Sequence, residues 1–178
     1  GGRMSEMPSS DYTLLKSPYP DQKLVHVHPD PSELGRVYRT ALPICAAPGD
    51  FAEALAVLPS PSSTPLWAAE TMQAHADYLK WSTPPQIGPG PVAMGPIMSF
   101  LEAELPDDAI LCNGAGNYAK WVHRFHRFRK YGTQAAPTSG SMGYGVPAAV
   151  AAKLLHPDRR VVAFAGDGCF QISQQELA

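Results

Sequence analysis

Charged residues and cysteines are both scarce in this sequence. Asp, Glu, Lys and Arg make up 17% of its 178 residues, and the formal net charge is −2, where soluble domains usually carry ~25% charged residues. A net charge this close to zero excludes a globally basic nucleic-acid binder and an acidic solvating tail. Three widely separated cysteines, Cys45, Cys112 and Cys169, provide neither a disulfide framework nor a zinc-ligand spacing. A reduced, cytoplasmic setting is therefore expected.

Long hydrophobic runs are also absent. The longest uncharged apolar stretch, Met142–Ala152, contains two glycines and a proline and is shorter than the ~20 residues that a membrane-spanning helix needs. Neither a membrane segment nor a signal peptide is predicted. The chain opens with Gly1 rather than Met, and a new helix is predicted to start just before Ala178. We therefore expect a piece of a longer protein.

Proline is the residue in excess, and its distribution predicts the domain organisation. The 19 prolines are spread among apolar runs, which argues against wholesale disorder. The run Pro59–Pro65 cannot hold a packed element and is the best linker. We predict one domain part at 1–58, a proline-rich linker with a helix at 59–91, and a second domain part at 92–178.

Hydrophobic periodicity predicts alternating helices and strands. Continuous apolar strands between helices are typical of a parallel α/β sheet flanked by helices. The predicted elements are a strand at 22–28, a helix capped by Asp50, a helix capped by Thr64 and Pro65, a helix at 96–105, a strand at 109–112, a helix carrying Trp121, Phe125 and Phe128, a helix at 143–155, and a strand at 161–165.

The sequence Gly166-Asp167-Gly168 lies directly after an apolar strand and before a helix. In parallel α/β sheets ligands bind outside the carboxyl ends of the strands. Glycines there let phosphate oxygens approach the backbone, and a carboxylate beside phosphates is what Mg²⁺ prefers. The alternative interpretation is an ordinary turn in which the aspartate caps a helix.

Two other glycine-rich segments have the same character. Gly140, Ser141 and Met142 belong to a run in which one flexible thioether projects from among glycines, although a tightly packed helix with Met142 as core filler is an alternative. Asn113-Gly114-Ala115-Gly116-Asn117 follows a strand and offers backbone donors to an anion, although a plain turn explains it as well.

Two further features favour structural roles. No acidic residue occurs between Asp108 and Asp158, where six lysines and arginines lie; a nucleic-acid face is possible, but a solvated helix or a subunit contact explains the pattern better. His26 and His28 lie on one face of a strand and could bind a metal, but no third ligand lies nearby, so a structural role is favoured.

Together, these segments resemble the diphosphate-binding domain of thiamine-diphosphate-dependent enzymes, and most of all the acetolactate synthase branch. The likeness is carried by Asn113–Asn117, Ala136–Ala149 and Gly166–Gly168, and it covers about residues 92–178. Residues 1–58 are similar to the end of the family's middle domain. The fold implied is an incomplete thiamine-diphosphate-binding α/β fold preceded by the tail of a second α/β domain.

The resemblance implies roles for individual residues. Asp167 would ligate the Mg²⁺ that bridges the cofactor diphosphate, with Gly166, Gly168 and Cys169 beside it. Met142 would hold the cofactor bent, and the Gly140 carbonyl would accept a hydrogen bond from its amino group, with Ser141 between them. The diphosphate would be lined by Asn113, Gly114, Ala115, Gly116 and Asn117.

The implied activity is decarboxylation or carboligation of 2-keto acids by a lyase or transferase. The resemblance implies a homodimer or homotetramer that shares its active site between subunits, and it implies that the rest of the Mg²⁺ motif and an activating glutamate would lie outside this chain. We therefore expect the chain to be inactive alone. The segment Met4–Met7 departs from the flavin-contacting pattern of FAD-dependent members, which leaves FAD in doubt. The alternative is a non-catalytic relative that binds cofactor or subunits, and no nucleic-acid partner is predicted.

Overall fold

A computed structural model describes residues 2–88 and 90–178 of the chain. The chain forms two compact units, Gly1–Pro65 and Leu66–Ala178. Two residues of the predicted organisation, Gly1 of the first domain part and Pro89 of the linker, lie outside the described residues. The assignment of residues 1–58 to a middle domain stays a prediction.

The first unit is built on two parallel strands. Strand β1 (Val25–His28) pairs with β2 (Leu42–Cys45), with Val25 opposite Leu42. A 3₁₀ turn at Pro31–Glu33 follows β1, and helix α1 (Pro48–Ala56) follows β2. Sequence patterning did not predict β2, because Pro43 interrupts it; a proline without an N–H group is tolerated in an edge strand.

The second unit contains a three-stranded parallel sheet. Its strand order is β4-β3-β5, and both pairings of the central strand are parallel. This confirms the predicted α/β fold with a parallel sheet flanked by helices. The elements are α2 (Ala68–Trp81), α3 (Met94–Glu104), β3 (Ile110–Asn113), α4 (Ala119–Phe125), β4 (Gln134–Ala135), α5 (Gly145–Leu155), β5 (Val161–Phe164), α6 (Asp167–Ser173) and a closing 3₁₀ turn at Gln174–Leu177.

Both predicted helix caps were wrong. Helix α1 starts at Pro48 after Ala47, so Asp50 lies in its first turn; proline fixes the backbone in a helical geometry and makes a side-chain cap unnecessary. Helix α2 starts at Ala68, because a turn at residues 66–67 intervenes and Trp67 supplies the first helical carbonyl, 3.0 Å from the backbone nitrogen of Thr71.

Helix α4 is also shorter than its aromatic spacing predicts. It ends at Phe125, because His126 has an extended backbone. The following backbone N–H, on Arg127, donates to Glu102 Oε2 of α3 at 3.2 Å. Phe128 therefore lies beyond the helix. A carboxylate on the neighbouring helix, far away in the sequence, accounts for the early end.

Strand β3 is the core of the second unit. All four of its residues are buried, as expected of a central strand covered on both faces. Leu111 is fully buried and clusters with Ala109 and Val122 of α4, and Leu105 and Phe164 pack against this cluster. In the part of the chain that the structure describes, no helix is long and apolar enough to cross a membrane.

Shortening Leu111 tests this core. The Leu111→Ala variant should lose about 2–5 kcal/mol of unfolding free energy, because the cavity lies in the central strand. Leu155→Ala is the matched control: that side chain is 76% exposed, and the change should stay within about 0.5 kcal/mol. Urea unfolding measures both, and equal losses in the two variants would contradict the assignment of the core.

Candidate functional site

Three glycine-rich segments converge at one end of the sheet. The β3 loop (residues 113–117) begins at the last residue of β3, the α5 loop (residues 140–143) precedes α5, and the β5 loop (residues 166–169) carries the chain from β5 into α6. A methyl group built on Gly145, the first residue of α5, would lie 2.8 Å from the Gly114 nitrogen and 3.1 Å from the Phe164 carbonyl oxygen. The carboxyl ends of β3 and β5 therefore meet the start of α5, where ligands bind in parallel α/β sheets.

Met142 links the α5 loop to the β5 loop. Its terminal methyl group, Cε, would lie 3.2 Å from a Cβ built on Gly168, and the side chain is 53% exposed. Gly140 and Gly143 have φ angles of +69° and +81°, a conformation that glycine adopts at little cost. The backbone bends on both sides of Met142, so its thioether projects from the loop over Gly168. An exposed position does not fit the alternative of a core filler.

Cys169 links the β5 loop to the β3 loop. Its buried thiol donates to the Ala115 carbonyl oxygen, with 3.1 Å between sulfur and oxygen. The neighbouring Tyr118 hydroxyl lowers the pKa of Cys169, and burial offsets part of that effect. Two loops that are far apart in the sequence are thus joined by a side chain.

Tyr118 is the residue of the site that sequence analysis missed. Its ring lies against Gly114, Gly116 and Gly166, the last 48 positions away in the sequence. The hydroxyl oxygen is buried without a well-formed hydrogen bond in the described residues, since its neighbour, the Cys169 thiol, is a weak partner. Burial raises the pKa of Tyr118 to about 12, and the thiol adds to the rise. A lone aromatic after Asn117 was the signal available in the sequence.

Asp167 presents a carboxylate without a protein partner. It is the first residue of α6 and is exposed, and within residues 2–88 and 90–178 it makes no side-chain hydrogen bond or ion pair. No group of three or more His, Cys, Asp or Glu side chains able to hold a metal occurs in those residues. A metal here would take one protein carboxylate, and phosphate or water oxygens would have to complete its shell, as Mg²⁺ allows.

The other predicted site residues differ in their solvent exposure. Asn113 is buried: its amide nitrogen donates to the Gly114 carbonyl at 2.9 Å, and His123 Nε2 lies 3.2 Å from its Oδ1. It therefore shapes the β3 loop and does not point into open space. Gly116 and Asn117 are exposed, and Ala115 is half-buried. Ser141 is exposed, with its hydroxyl 2.7 Å from that of Ser139.

The histidine pair of the first unit has structural partners. His26 Nε2 lies 3.0 Å from the Gly2 carbonyl oxygen, and His28 Nδ1 accepts the Asp30 backbone N–H at 3.0 Å. Both rings are buried. These contacts agree with the structural role favoured from the sequence.

Comparison with known proteins matches the second unit to one family. Residues 114–178 match the family profile described as thiamine pyrophosphate enzyme, C-terminal TPP binding domain. The chain is 36% identical to the acetolactate synthase large subunit of Corynebacterium glutamicum over 166 residues, which is 89% of this chain and 26% of that protein. It is 31% identical to the acetolactate synthase isozyme 1 large subunit of Escherichia coli, over 89% of this chain and 28% of that protein.

A solved structure has the same fold. The thiamine diphosphate-dependent 4-hydroxybenzoylformate decarboxylase of Rhodococcus jostii RHA1 superposes with a TM-score of 0.62 at 29% identity, over 87% of this chain and 28% of that one. The chain is similar to thiamine-diphosphate-dependent enzymes, in its second unit by the family profile and over most of its length by the relatives. The likeness to acetolactate synthase large subunits confirms the resemblance that the sequence predicted, and the chain spans about a quarter of the length of the curated relatives it matches.

Adding a methyl group at Gly145, where the ends of β3 and β5 meet the start of α5, tests the geometry of the site. In Gly145→Ala the new Cβ would meet backbone atoms of Gly114, Asn113 and Phe164 at 2.8 to 3.1 Å, and backbone cannot move aside as a side chain can. The cost should be about 1–3 kcal/mol, more than the helix-propensity gain of at most ~1 kcal/mol.

Gly90→Ala is the control, because nothing lies within 4 Å of its added methyl group. Thermal unfolding should occur several degrees lower for Gly145→Ala and at the parent temperature for Gly90→Ala. An unchanged unfolding temperature in Gly145→Ala would mean that the loops do not meet there.

Proposed function

We propose that this chain supplies the cofactor-holding part of an enzyme that decarboxylates or ligates 2-keto acids with thiamine diphosphate and Mg²⁺. The observation that carries the proposal is the meeting of the three loops at the carboxyl ends of β3 and β5, where a methyl group on Gly145 would lie 2.8 Å from the Gly114 nitrogen. Similarity to acetolactate synthase large subunits supports the same reaction class.

The residues present fit a magnesium-bound diphosphate. The Asp167 carboxylate has no protein partner in the described chain, and it is the hard oxygen ligand that Mg²⁺ prefers beside phosphates. The backbone around this carboxylate is that of Gly166, Gly168 and Cys169. On the facing loop Gly116 and Asn117 are exposed and offer backbone donors to phosphate oxygens. The Tyr118 hydroxyl is buried beside the Cys169 thiol, between the two loops.

Gly140 and Met142 would orient the organic part of the cofactor. Met142 projects between two left-handed glycines and offers a polarizable apolar support for a ring. The Gly140 carbonyl would accept a hydrogen bond from the cofactor amino group. When bound, thiamine diphosphate supplies the electron sink that allows a 2-keto acid to lose CO₂. The proposed role of this chain is to bind the cofactor and to orient it.

Subunit association belongs to the same proposal. Helix α2 has no buried residue, and its Met72, Tyr78 and Trp81 side chains are more than half exposed. A helix that exposes several large apolar side chains favours a protein contact. A homodimer or homotetramer with a shared active site would cover them. A cytoplasmic location stays a prediction.

Removing the carboxylate of Asp167 tests the cofactor site. Titration of the chain with thiamine diphosphate and Mg²⁺ in a calorimeter should give at least about tenfold weaker binding for Asp167→Asn, because a metal ligand is lost. Asp158→Asn is the matched control, since this exposed aspartate lies in the turn before β5. Equal dissociation constants for the parent and Asp167→Asn would contradict the proposal.

The isolated chain should not convert a 2-keto acid. Pyruvate with thiamine diphosphate and Mg²⁺ should release no CO₂ above the protein-free rate, because the activating glutamate implied by the family lies outside these residues. A coupled carbonate assay measures the release. Turnover by the isolated chain would refute the division of the active site proposed here.

A further inference from the structure

Tyr118 occupies the space between two of the loops proposed to hold the cofactor. A Cβ on Gly114 would lie 2.7 Å from the Tyr118 hydroxyl oxygen, and one on Gly116 would lie 2.7 Å from its Cε1. A Cβ on Gly166, in the other loop, would lie 3.2 Å from the same Cε1. A Cβ on Gly114 or Gly116 would clash with the ring, and one on Gly166 would be in tight contact with it, whatever ligand the loops bind.

We propose that Tyr118 is a positioning residue that fixes the spacing between the β3 loop and the β5 loop before any ligand binds. A phenol ring is rigid and has two rotatable bonds, so it can set a distance at low entropic cost. The hydroxyl end is buried between Gly114 and Cys169, and the ring edge contacts Gly116 and Gly166. Both loops rest on the same side chain.

Cys169 joins the same two loops. Its sulfur lies 3.1 Å from the Ala115 carbonyl oxygen, and it is 3.5 Å from the Cβ position of Gly114. Cys169 of the β5 loop therefore reaches the backbone of the β3 loop, and Tyr118, directly after the β3 loop, reaches the backbone of the β5 loop. Such reciprocal contacts hold a binding site in its productive geometry and reduce the ordering cost of binding.

What the two loops bind rests on the proposed function, but the spacing role can be tested without ligand. In a Cys45→Ser background, which removes the exposed thiol, the buried thiols Cys112 and Cys169 remain. Labelling with an aromatic disulfide, followed by peptide mass analysis, measures the rate at which each of these two thiols becomes accessible. Tyr118→Ala should label at Cys169 at least about tenfold faster, with Cys112 unchanged, because only the loops loosen.

Two variants control this measurement. Tyr118→Phe keeps the ring and should restore slow labelling at Cys169. Tyr131→Ala removes a tyrosine that is fully exposed and should label at the parent rate. An unchanged Cys169 rate in Tyr118→Ala, or equal acceleration at Cys112 and Cys169, would overturn the proposal.

A double-mutant cycle decides the question if Tyr118→Ala fails to fold. Gly114→Ala should lower the unfolding temperature by at least about 3 °C, because its methyl group would meet the Tyr118 hydroxyl at 2.7 Å. In the Tyr118→Phe background that oxygen is gone, so most of the loss should disappear. Additive effects of the two substitutions would overturn the seating of Tyr118 against Gly114.

A calorimetric arm separates this inference from the proposed function. If the parent binds thiamine diphosphate with Mg²⁺, Tyr118→Ala should bind at least about tenfold more weakly, since the loops must then be ordered on binding. Equal affinity would overturn the positioning role and leave the proposed function standing. If the parent does not bind, the proposed function fails, and the labelling rates still decide the role of Tyr118.

Discussion

Parallel pairing of β3 with β5 is the interaction on which the site depends. Ile110 pairs with Val161 and Asn113 with Phe164, so both strands end at the same edge of the sheet. Helix α5 then begins against both ends, because Gly145 allows backbone to approach backbone. A slip in this register would separate the β3 loop from the β5 loop, and Cys169 could no longer reach Ala115. Burial of β3 between helices makes the register costly to change.

Local sequence patterns predicted the strands that carry the site and the loops that follow them. Apolar runs placed β3 and β5 to within one residue, because strands of parallel sheets have a continuous hydrophobic signature. The glycine-rich segments were visible for a similar reason, since close approach of backbones requires glycine. These strands and loops could be predicted because the pattern that identifies each of them lies within a few neighbouring residues.

Long-range contacts account for the features that local sequence patterns did not predict. Strand β4 has two residues and is defined by its pairing with β3, so no periodicity reveals it. Helix α4 ends early because Glu102, on another helix, accepts the Arg127 N–H. The role of Tyr118 depends on Gly166, which only the sheet brings near. Asn113 was predicted at the cofactor, yet its side chain is buried and holds the loop, since His123 and Gln134 lie against its Oδ1.

Three of the six basic residues between Asp108 and Asp158 make side-chain contacts within the second unit. Arg124 donates to the Trp81 carbonyl and stacks on its ring, Arg129 pairs with Glu102 and Asp107, and Lys153 donates to two backbone carbonyls. These contacts tie helices and turns together around the sheet. They support a structural interpretation of the segment over a nucleic-acid face.

The most direct test of the three-loop site is a chemical-shift titration of the isotopically labelled chain with thiamine diphosphate and Mg²⁺. The largest amide shift changes should fall in residues 114–117, 140–142 and 166–169, all saturating together, and they should require the metal. This pattern would place one ligand against all three loops at once. Changes confined to the first unit, or in one loop without the other two, would contradict the account.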